Sequence, residues 1–418
     1  MSPTFQALSV RNYRLFAAGS LISNTGTWMQ RVAQDWLVLV LTGSGSALGI
    51  TTGLQFLPFL LVTPIAGMVA DRMSKRRLLA ITQATMALTA GMLGLLAVTG
   101  LVEVWHVYVL AFLFGVGTSM DAPARQAFVV EMVGRDHLPN AVGLNSASFN
   151  VGRIVGPAAA GLLIAALGSG AEATGWVILI NAFSYLAVIY SLSIMRVSEL
   201  DSPTPVARAK GALREGVRYV RERPDLVFIF VVAFATGTFG LNFQITSALM
   251  ATQEFDKGAE EYGLLGTMMA IGSLTGSLMA ARRGYPRRIV LVLAALSFGV
   301  AEIIAGLLPT YLLFAVWLPL LGFTALTLIT SLQTTVQLSV DSSVRGRVVA
   351  LYMMIFMGGT PVGAPIIGWV GEEFGARWTL IGGGLATALS VLLATWWLVR
   401  REHIDVRDVH VRTARVAT

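Results

Sequence analysis

The chain alternates long apolar runs with short polar breaks almost from end to end. Bounding each run by charges or turn residues gives twelve segments: 13–41, 46–70, 78–99, 104–121, 141–168, 174–195, 225–250, 262–281, 288–308, 311–332, 347–371 and 377–399. A helix needs about 20 residues to cross the hydrocarbon core of a bilayer, and each run is close to or beyond that length. Within hydrocarbon a single segment satisfies its own backbone only as a helix. The pattern therefore predicts an all-α integral membrane protein with twelve transmembrane helices.

The second half of the chain echoes the first. Asn140-Ala-Val-Gly-Leu144 followed by Gly156-Pro-Ala-Ala-Ala-Gly161 corresponds, at an offset of 207, to Arg347-Val-Val-Ala-Leu351 followed by Gly363-Ala-Pro-Ile-Ile-Gly368, and Gln126 matches Gln333. Gly26-Thr27-Trp28 corresponds to Gly237-Thr238-Phe239 at an offset of 211. Six helices followed by six related ones in the same orientation form a parallel repeat, which predicts two six-helix bundles about an axis along the membrane normal and a path between them. The divisions expected are a first bundle at 1–195, a linker at 196–224, a second bundle at 225–399 and a tail at 400–418.

Composition agrees with lipid as the solvent. Of 418 residues 55% are hydrophobic and 13% charged, against about 25% charged in a soluble domain. Cysteine is absent and the four histidines, His106, His137, His403 and His410, are scattered, so no disulfide framework and no metal site is expected. The first apolar run is longer than a signal-peptide core and reads as a retained helix.

Charge sets the topology. With the N-terminus in the cytoplasm, 26 of the 30 Lys and Arg residues fall on the cytoplasmic side, Lys257 and Arg377 fall outside, and Arg31 and Arg153 lie within spans. Outside loops are acidic: Glu103, Glu172, Glu254, Asp256, Glu260, Glu261, Glu372 and Glu373. This asymmetry predicts cytoplasmic N- and C-termini in a multi-pass protein of a bacterial inner membrane. The net charge of +7 is then topology and contact with anionic lipid, not nucleic-acid binding. In the linker, Arg214, Arg218 and Arg221 recur at helical spacing around Leu213, Val217 and Val220, a pattern for a basic amphipathic helix on the inner leaflet or for a linker that only obeys the charge rule.

After the second run comes Gly67-Met-Val-Ala-Asp71-Arg72-Met-Ser-Lys75-Arg76-Arg77. Gly67 permits close helix contact, and Asp71 amid cations is not explained by topology, which needs only the cations. The segment resembles the signature loop of the major facilitator superfamily. That resemblance implies a cytoplasmic gate formed by Gly67, Asp71, Arg72, Lys75 and Arg76, which latches the inner side while the cavity faces out. Ser74 stands where the family prefers glycine, and Ala280 stands where the second-half counterpart of Asp71 would fall, so the second latch is weaker or differently built. In the fifth run, Gly152-Arg-Ile-Val-Gly156-Pro157-Ala-Ala-Ala-Gly161 resembles the antiporter motif of drug-exporting members, with Ala160 replacing a glycine. Gly152, Gly156, Pro157 and Gly161 form a hinge and packing stripe on that reading, or ordinary close packing on the plainer one.

Charges inside spans are costly and mark function. Four qualify: Arg31, Asp35, Arg153 and Glu302. Arg31 and Asp35 are one turn apart, and Asn24, Thr27, Arg31 and Asp35 make one stripe flanked by Gln30 and Gln34. By repeat position Asn242 answers to Arg31, with Gln244 nearby, so Asn24, Arg31, Gln34, Asp35, Arg153, Asn242, Gln244 and Glu302 are the candidate cavity residues. Asp35 is the expected proton or cation site, since desolvation and a neighbouring cation pull its protonation in opposite directions. The alternatives are a structural pair with Arg31 or Arg153, and an Arg153 that meets an anionic substrate. Glu302, toward the outer end of its run, reads as peripheral, snorkelling or paired locally.

Within the superfamily, Ser9-Val-Arg-Asn-Tyr13-Arg-Leu-Phe16, Gly26-Thr-Trp-Met-Gln30, Trp36-Leu-Val38 and Asp121-Ala-Pro-Ala-Arg125-Gln-Ala-Phe128 resemble the branch of the enterobactin exporter and related bacterial drug and siderophore exporters. The resemblance implies a monomeric, proton-coupled exporter of amphipathic small molecules working by alternating access, with protons and lipid as its other partners and no cofactor. An uptake carrier or lysophospholipid flippase of the same fold is the near alternative, and a non-transporting receptor or scaffold the distant one. No glycine-rich phosphate loop with its lysine occurs, which argues against ATP-driven pumping by this chain. No nucleophile or metal constellation suggests an enzyme.

Overall fold

A computed structural model describes residues 3–201, 212–282, 288–342 and 344–402; within these, the side chains of 3–4, 63–72, 135, 212–213, 281–282, 288 and 402 lie outside the described set. The described chain is helical apart from short connections, with no strand among the described residues. Its helices are α1 (Arg11–Thr42), α2 (Gly45–Arg72), α3 (Lys75–Val98), α4 (Val104–Gly134), α5 (Asp136–Ala166), α6 (Ala171–Ser193), α7 (Ala212–Arg221), α8 (Pro224–Glu254), α9 (Ala259–Arg282), α10 (Arg288–Leu307), α11 (Tyr311–Ser339), α12 (Arg345–Phe374) and α13 (Ala376–Glu402).

Among the described residues eleven helices are long and apolar enough to cross a membrane. α1 has the length, at 32 residues, but its apolar run is broken by Asn24, Gln30, Arg31, Gln34 and Asp35. Large apolar side chains stand outward along the other helices, as with Leu88 (73% exposed) and Val316 (69%), a surface that only lipid covers without cost.

Three helices outrun their expected ends. The fourth run was bounded at residue 121 and the fifth opened at 141, yet α4 continues to Gly134 and α5 starts at Asp136. Only Gly134, with φ 65° and ψ −176°, breaks the helical path between them, a left-handed backbone that glycine adopts without strain. α11 likewise runs to Ser339 rather than 332. A charge ends an apolar run but ends a helix only when it needs water, and Asp121 is instead paired with Arg125 at 3.0 Å within the protein.

The chain forms two compact units: Met1–Ala207 with Lys257–Thr267, and Arg208–Asp256 with Met268–Thr418. The first unit therefore includes the opening turns of α9. In it α5 lies against α1 through glycine. A Cβ on Gly156 would sit 2.6 Å from Cβ of Trp28, and one on Gly152 would sit 2.9 Å from the carbonyl carbon of Asn24. Lipid gives helices no hydrophobic reason to associate, so contact of this closeness supplies dispersion that longer side chains would prevent.

The second unit repeats the device at the same offset of 207. Gly359 and Gly363 of α12 lie against Gly237 and Thr238 of α8, where added Cβ atoms would overlap backbone. The linker helix α7 is built into this unit: Arg347 pairs with Glu215 at 2.6 Å, and Tyr219 donates to Asp341 Oδ2 at 2.9 Å. Arg223, one turn further on, binds Asp225 and the Ser339 carbonyl. The Asp225 carboxylate raises the Arg223 guanidinium beyond its already high range. Arg214, Arg218 and Arg221 face out, while Val220 is buried.

Gly363→Ala should lower the thermal midpoint of the detergent-purified protein, since overpacking a tight contact costs about 1–3 kcal/mol. Gly346→Ala, where an added Cβ meets nothing within 4 Å, should leave the midpoint unchanged. Equal midpoints for the two variants would refute the close-contact argument.

Candidate functional site

The stripe anticipated on α1 resolves into two faces. Ser20, Ser23, Thr27, Gln30 and Gln34, spaced three and four apart, face α2, α3, α4 and α6. Ser23 Oγ meets Gln83 Oε1 at 3.3 Å, Thr27 Oγ1 meets the Tyr185 hydroxyl at 3.0 Å, and Gln34 donates to Gln55 Oε1 at 3.0 Å. Asn181 donates to Gln30 Oε1 and to Tyr185. This face is not wet: its polar groups satisfy one another, as buried polar groups must.

The second face carries Asn24, Trp28 and Arg31 toward α5. Asn24 donates to Ser148 Oγ at 3.1 Å. The Trp28 indole is met by two guanidinium groups, Arg31 at 4.6 Å from its centroid and Arg153 at 5.6 Å, with Phe149 edge-on at 5.6 Å. Arg31 also lies 5.7 Å from the Phe56 ring, and its Nε is buried without a hydrogen-bond partner. Glycine at 152 and 156 is what lets α5 bring Arg153 to this ring.

Asp35, one turn beyond Arg31, is 3% exposed. The Tyr262 hydroxyl, in the opening turns of α9, donates to its Oδ2 at 2.9 Å. Tyr262 was not anticipated, because it lies 227 residues away in the chain. The rest of the small-residue stripe holds these turns in place. Pro157 packs against Gly263 and Gly266, an added Cβ on Gly161 would sit 2.5 Å from the Ala259 carbonyl, and Thr267 donates to the Ile154 carbonyl at 2.7 Å.

A second charged cluster was missed because the expected fourth run ended at residue 121. Asp121 Oδ1 accepts from Thr82 and Gln83 at 2.9 and 2.8 Å, while Arg125 binds Asp121 Oδ2 at 3.0 Å and Ser20 Oγ at 2.7 Å. Arg125 also lies over Phe16 at 5.4 Å. Every partner is supplied within the unit, so this cluster ties α1, α3 and α4 together. Tyr13, another residue of the branch pattern, donates to the Ala141 carbonyl at 2.8 Å, and Trp36 to that of Ser169 at 2.9 Å.

Of the gate residues, Gly67, Asp71 and Arg72 are placed on α2 by their backbone, and their side chains lie outside the described residues. Lys75 reaches Glu131 at 3.8 Å, and Arg76 donates to the carbonyls of Leu192 and Ser193. A cavity of about 360 Å³ opens here between Arg76, Arg77, Glu131 and Leu200. Residues 202–211 of the linker, 283–287 after Ala280 and the tail from residue 403 lie outside the described residues.

Asn242, Gln244 and Glu302 belong to the second unit. Asn242 is buried at a break in α8 and donates to the Thr238 carbonyl at 2.7 Å; Gln244 follows it, half-buried. Glu302 corrects the expectation of a peripheral, snorkelling acid. It has no exposed surface, because α10 turns this face toward α13 instead of lipid.

Comparison with known proteins places this architecture. The chain is 30% identical over 403 residues to the multidrug efflux pump Tap of Mycolicibacterium fortuitum, covering 94% of this chain and 96% of that protein. It is 24% identical to the staphyloferrin A transporter of Staphylococcus aureus (94% and 98% covered) and 22% identical to macrolide efflux protein A of Streptococcus pyogenes (90% and 93%). Among solved structures it shares the fold of a bacterial homologue of the lysosomal transporter Spinster, with a TM-score of 0.69, 17% identity and 99% and 100% coverage. A D-xylose–proton symporter matches with a TM-score of 0.69, 13% identity and 91% and 96% coverage. The transmembrane secretion effector family matches residues 2–413, and with the all-helical fold this shows that the chain belongs to that family, within the major facilitator superfamily.

Proposed function

We propose that this chain is a proton-driven secondary exporter that carries amphipathic small molecules, drugs or siderophores, out across a bacterial inner membrane by alternating access. The observation that carries the reading is the cluster of Arg31, Asp35 and Arg153 about Trp28 and Tyr262, in a chain similar over nearly its whole length to two efflux pumps and a siderophore transporter. Ionisable groups inside spans are costly and mark transport paths. Asp35 is the acid of this cluster and takes the coupling proton or the charge of a cationic substrate. Two guanidinium groups against that single carboxylate support a second substrate class, a carboxylate-bearing siderophore seated on Trp28.

On this reading α1 is a twelfth span, long enough to cross with its polar faces turned from lipid, and the helices form two six-helix bundles in parallel repeat. An even number of crossings keeps both termini in the cytoplasm, where most of the Lys and Arg residues then lie. Gly67, Asp71, Arg72, Lys75 and Arg76 form the cytoplasmic latch, with Glu131 as the acid that Lys75 meets. The protein works as a monomer with the bilayer, protons and its substrate as partners, and without a cofactor.

In energised inverted vesicles, wild type should release protons on addition of lipophilic cations, antibiotics or siderophores from a panel, and Asp35→Asn should abolish that release while remaining in the membrane. Proton movement unchanged in Asp35→Asn would sink the proton-site assignment. Tyr262→Phe should keep coupling and slow transport about 2–10-fold, the rate equivalent of a hydrogen bond worth roughly 0.5–1.5 kcal/mol. A green fluorescent protein fused to the C-terminus should fluoresce while a fused alkaline phosphatase stays inactive; active phosphatase would overturn the orientation.

A further inference from the structure

The second unit buries an acid for which the cluster around Trp28 has no use. Glu302 of α10 has no exposed surface, and neither carboxyl oxygen has a hydrogen-bond partner. Three helices meet around it. A Cβ added to Gly383 of α13 would lie 3.3 Å from Glu302 Oε1 and 2.6 Å from the Phe239 carbonyl oxygen of α8, so the acid and this carbonyl share the gap that the glycine leaves. At the next residue of α8, a Cβ on Gly240 would lie 3.1 Å from Thr387 Oγ1 and 2.5 Å from the Phe298 ring. Thr387 is one turn from Gly383 and Phe298 one turn from Glu302, which puts all of them at one junction.

The junction coincides with a defect in α8. Thr236–Gly240 form the first of two π-helical turns in α8, the other being Met250–Glu254, and Leu241 and Asn242 leave the helical path before it resumes at Phe243. π-turns are rare and concentrate at functional positions. The buried hydroxyls of Thr387 and Thr236 and the Asn242 Oδ1 atom are all without partners.

Among the described residues no cation compensates the acid. The helices packed on α10 are α13 and α11, with the π-turn of α8. α11 carries no Asp, Glu, Lys, Arg or His. On α13, Arg377 is committed to Glu254 at 2.8 Å and to the Gly306 and Leu308 carbonyls, while Arg400 and Arg401 stack on Trp396 and Trp397 at the other end of the helix. On α8, Glu254 is thereby occupied and Asp225 holds Arg223. A carboxylate buried without donors or a counter-ion is strongly disfavoured, a cost that a bound proton removes. The Phe239 carbonyl can only accept a hydrogen bond, which a carboxylic acid supplies and a carboxylate does not.

We propose that Glu302 is a proton-binding site of the second unit, holding its proton as a neutral carboxylic acid in the gap between Gly383 and the π-turn of α8, with Thr387 beside it. The site stands whichever substrate the Trp28 cluster takes and whether or not Asp35 is the coupling acid.

Infrared spectra of the full chain in lipid nanodiscs at neutral pH test it, compared between Asp35→Asn and the double variant Asp35→Asn with Glu302→Gln. The protonated-carboxyl band should be present in the first and lose the intensity of one acid in the second. Superimposable spectra in that region, with the loss in the carboxylate band instead, would overturn the proposal. Should Glu302→Gln fail to fold, Thr387→Val gives the second reading: the protonated-carboxyl band should shift in frequency relative to wild type. A band of unchanged position and intensity would place no acid beside Thr387.

Discussion

Hydrocarbon offers no hydrogen bonds, so every polar group that this chain carries into the membrane needs a partner from the chain itself. The backbone meets most of the requirement with helices joined by short connections, and no strand occurs among the described residues. The side chains meet it locally, through Gln34 on Gln55, Thr27 on Tyr185, and Asp121 shared among Thr82, Gln83 and Arg125. Set against that rule, the groups that break it are informative. Among them, Arg31 Nε, Asn242 Oδ1, Thr387 Oγ1 and both oxygens of Glu302 lie buried without partners beside the Trp28 cluster or the π-turn at Thr236–Gly240, while the hydroxyls of Ser273, Thr327, Ser339 and Tyr352 are also buried without partners.

Glycine makes those exceptions possible. With lipid on the outside, helices gain by approaching closely, and Gly152 and Gly156 bring α5 against α1 as Gly359 and Gly363 bring α12 against α8. The same approach delivers Arg153 to the ring that Arg31 already covers, so one row of small residues both packs the helix and builds the charged site. Pro157 and Gly161 extend that row to the opening turns of α9, and so set the height at which Tyr262 meets Asp35. Packing and site are consequences of one stripe, which is why a hinge role and a packing role for it are hard to separate by mutation of the glycines alone.

The two units use their shared plan differently. α1 is unbroken from Arg11 to Thr42, and the polar groups of its Ser23–Gln34 face are spent on neighbours, whereas α8 passes through the π-turn at Thr236–Gly240 and a non-helical step at the corresponding height. One extra residue in the turn of α8 changes which groups face inward, and a buried acid with no counter-ion occupies the place where it does. α7 adds a further difference, pinned by Glu215, Tyr219 and Arg223 to the second unit so that its three outward arginines are held on one face.

The sequence alone determined the solvent and the helical class and showed the repeated motifs, because length, hydropathy and spacing are local properties that lipid reads directly. It also marked Gly156 and Gly363 as equivalent, and the structure gives both the same task. The ends of α4, α5 and α11 were illegible, since Asp121 looks like a boundary until Arg125, Thr82 and Gln83 are seen to satisfy it. The sides of α1 were also beyond reach: periodicity places Asn24, Thr27, Arg31 and Asp35 on one arc, but only the neighbours decide that Thr27 meets Tyr185 while Arg31 meets Trp28. Tyr262 and the setting of Glu302 were decided by tertiary structure alone, because a partner 227 residues away and a gap left by Gly383 depend on which helices touch, and no local pattern carries that information.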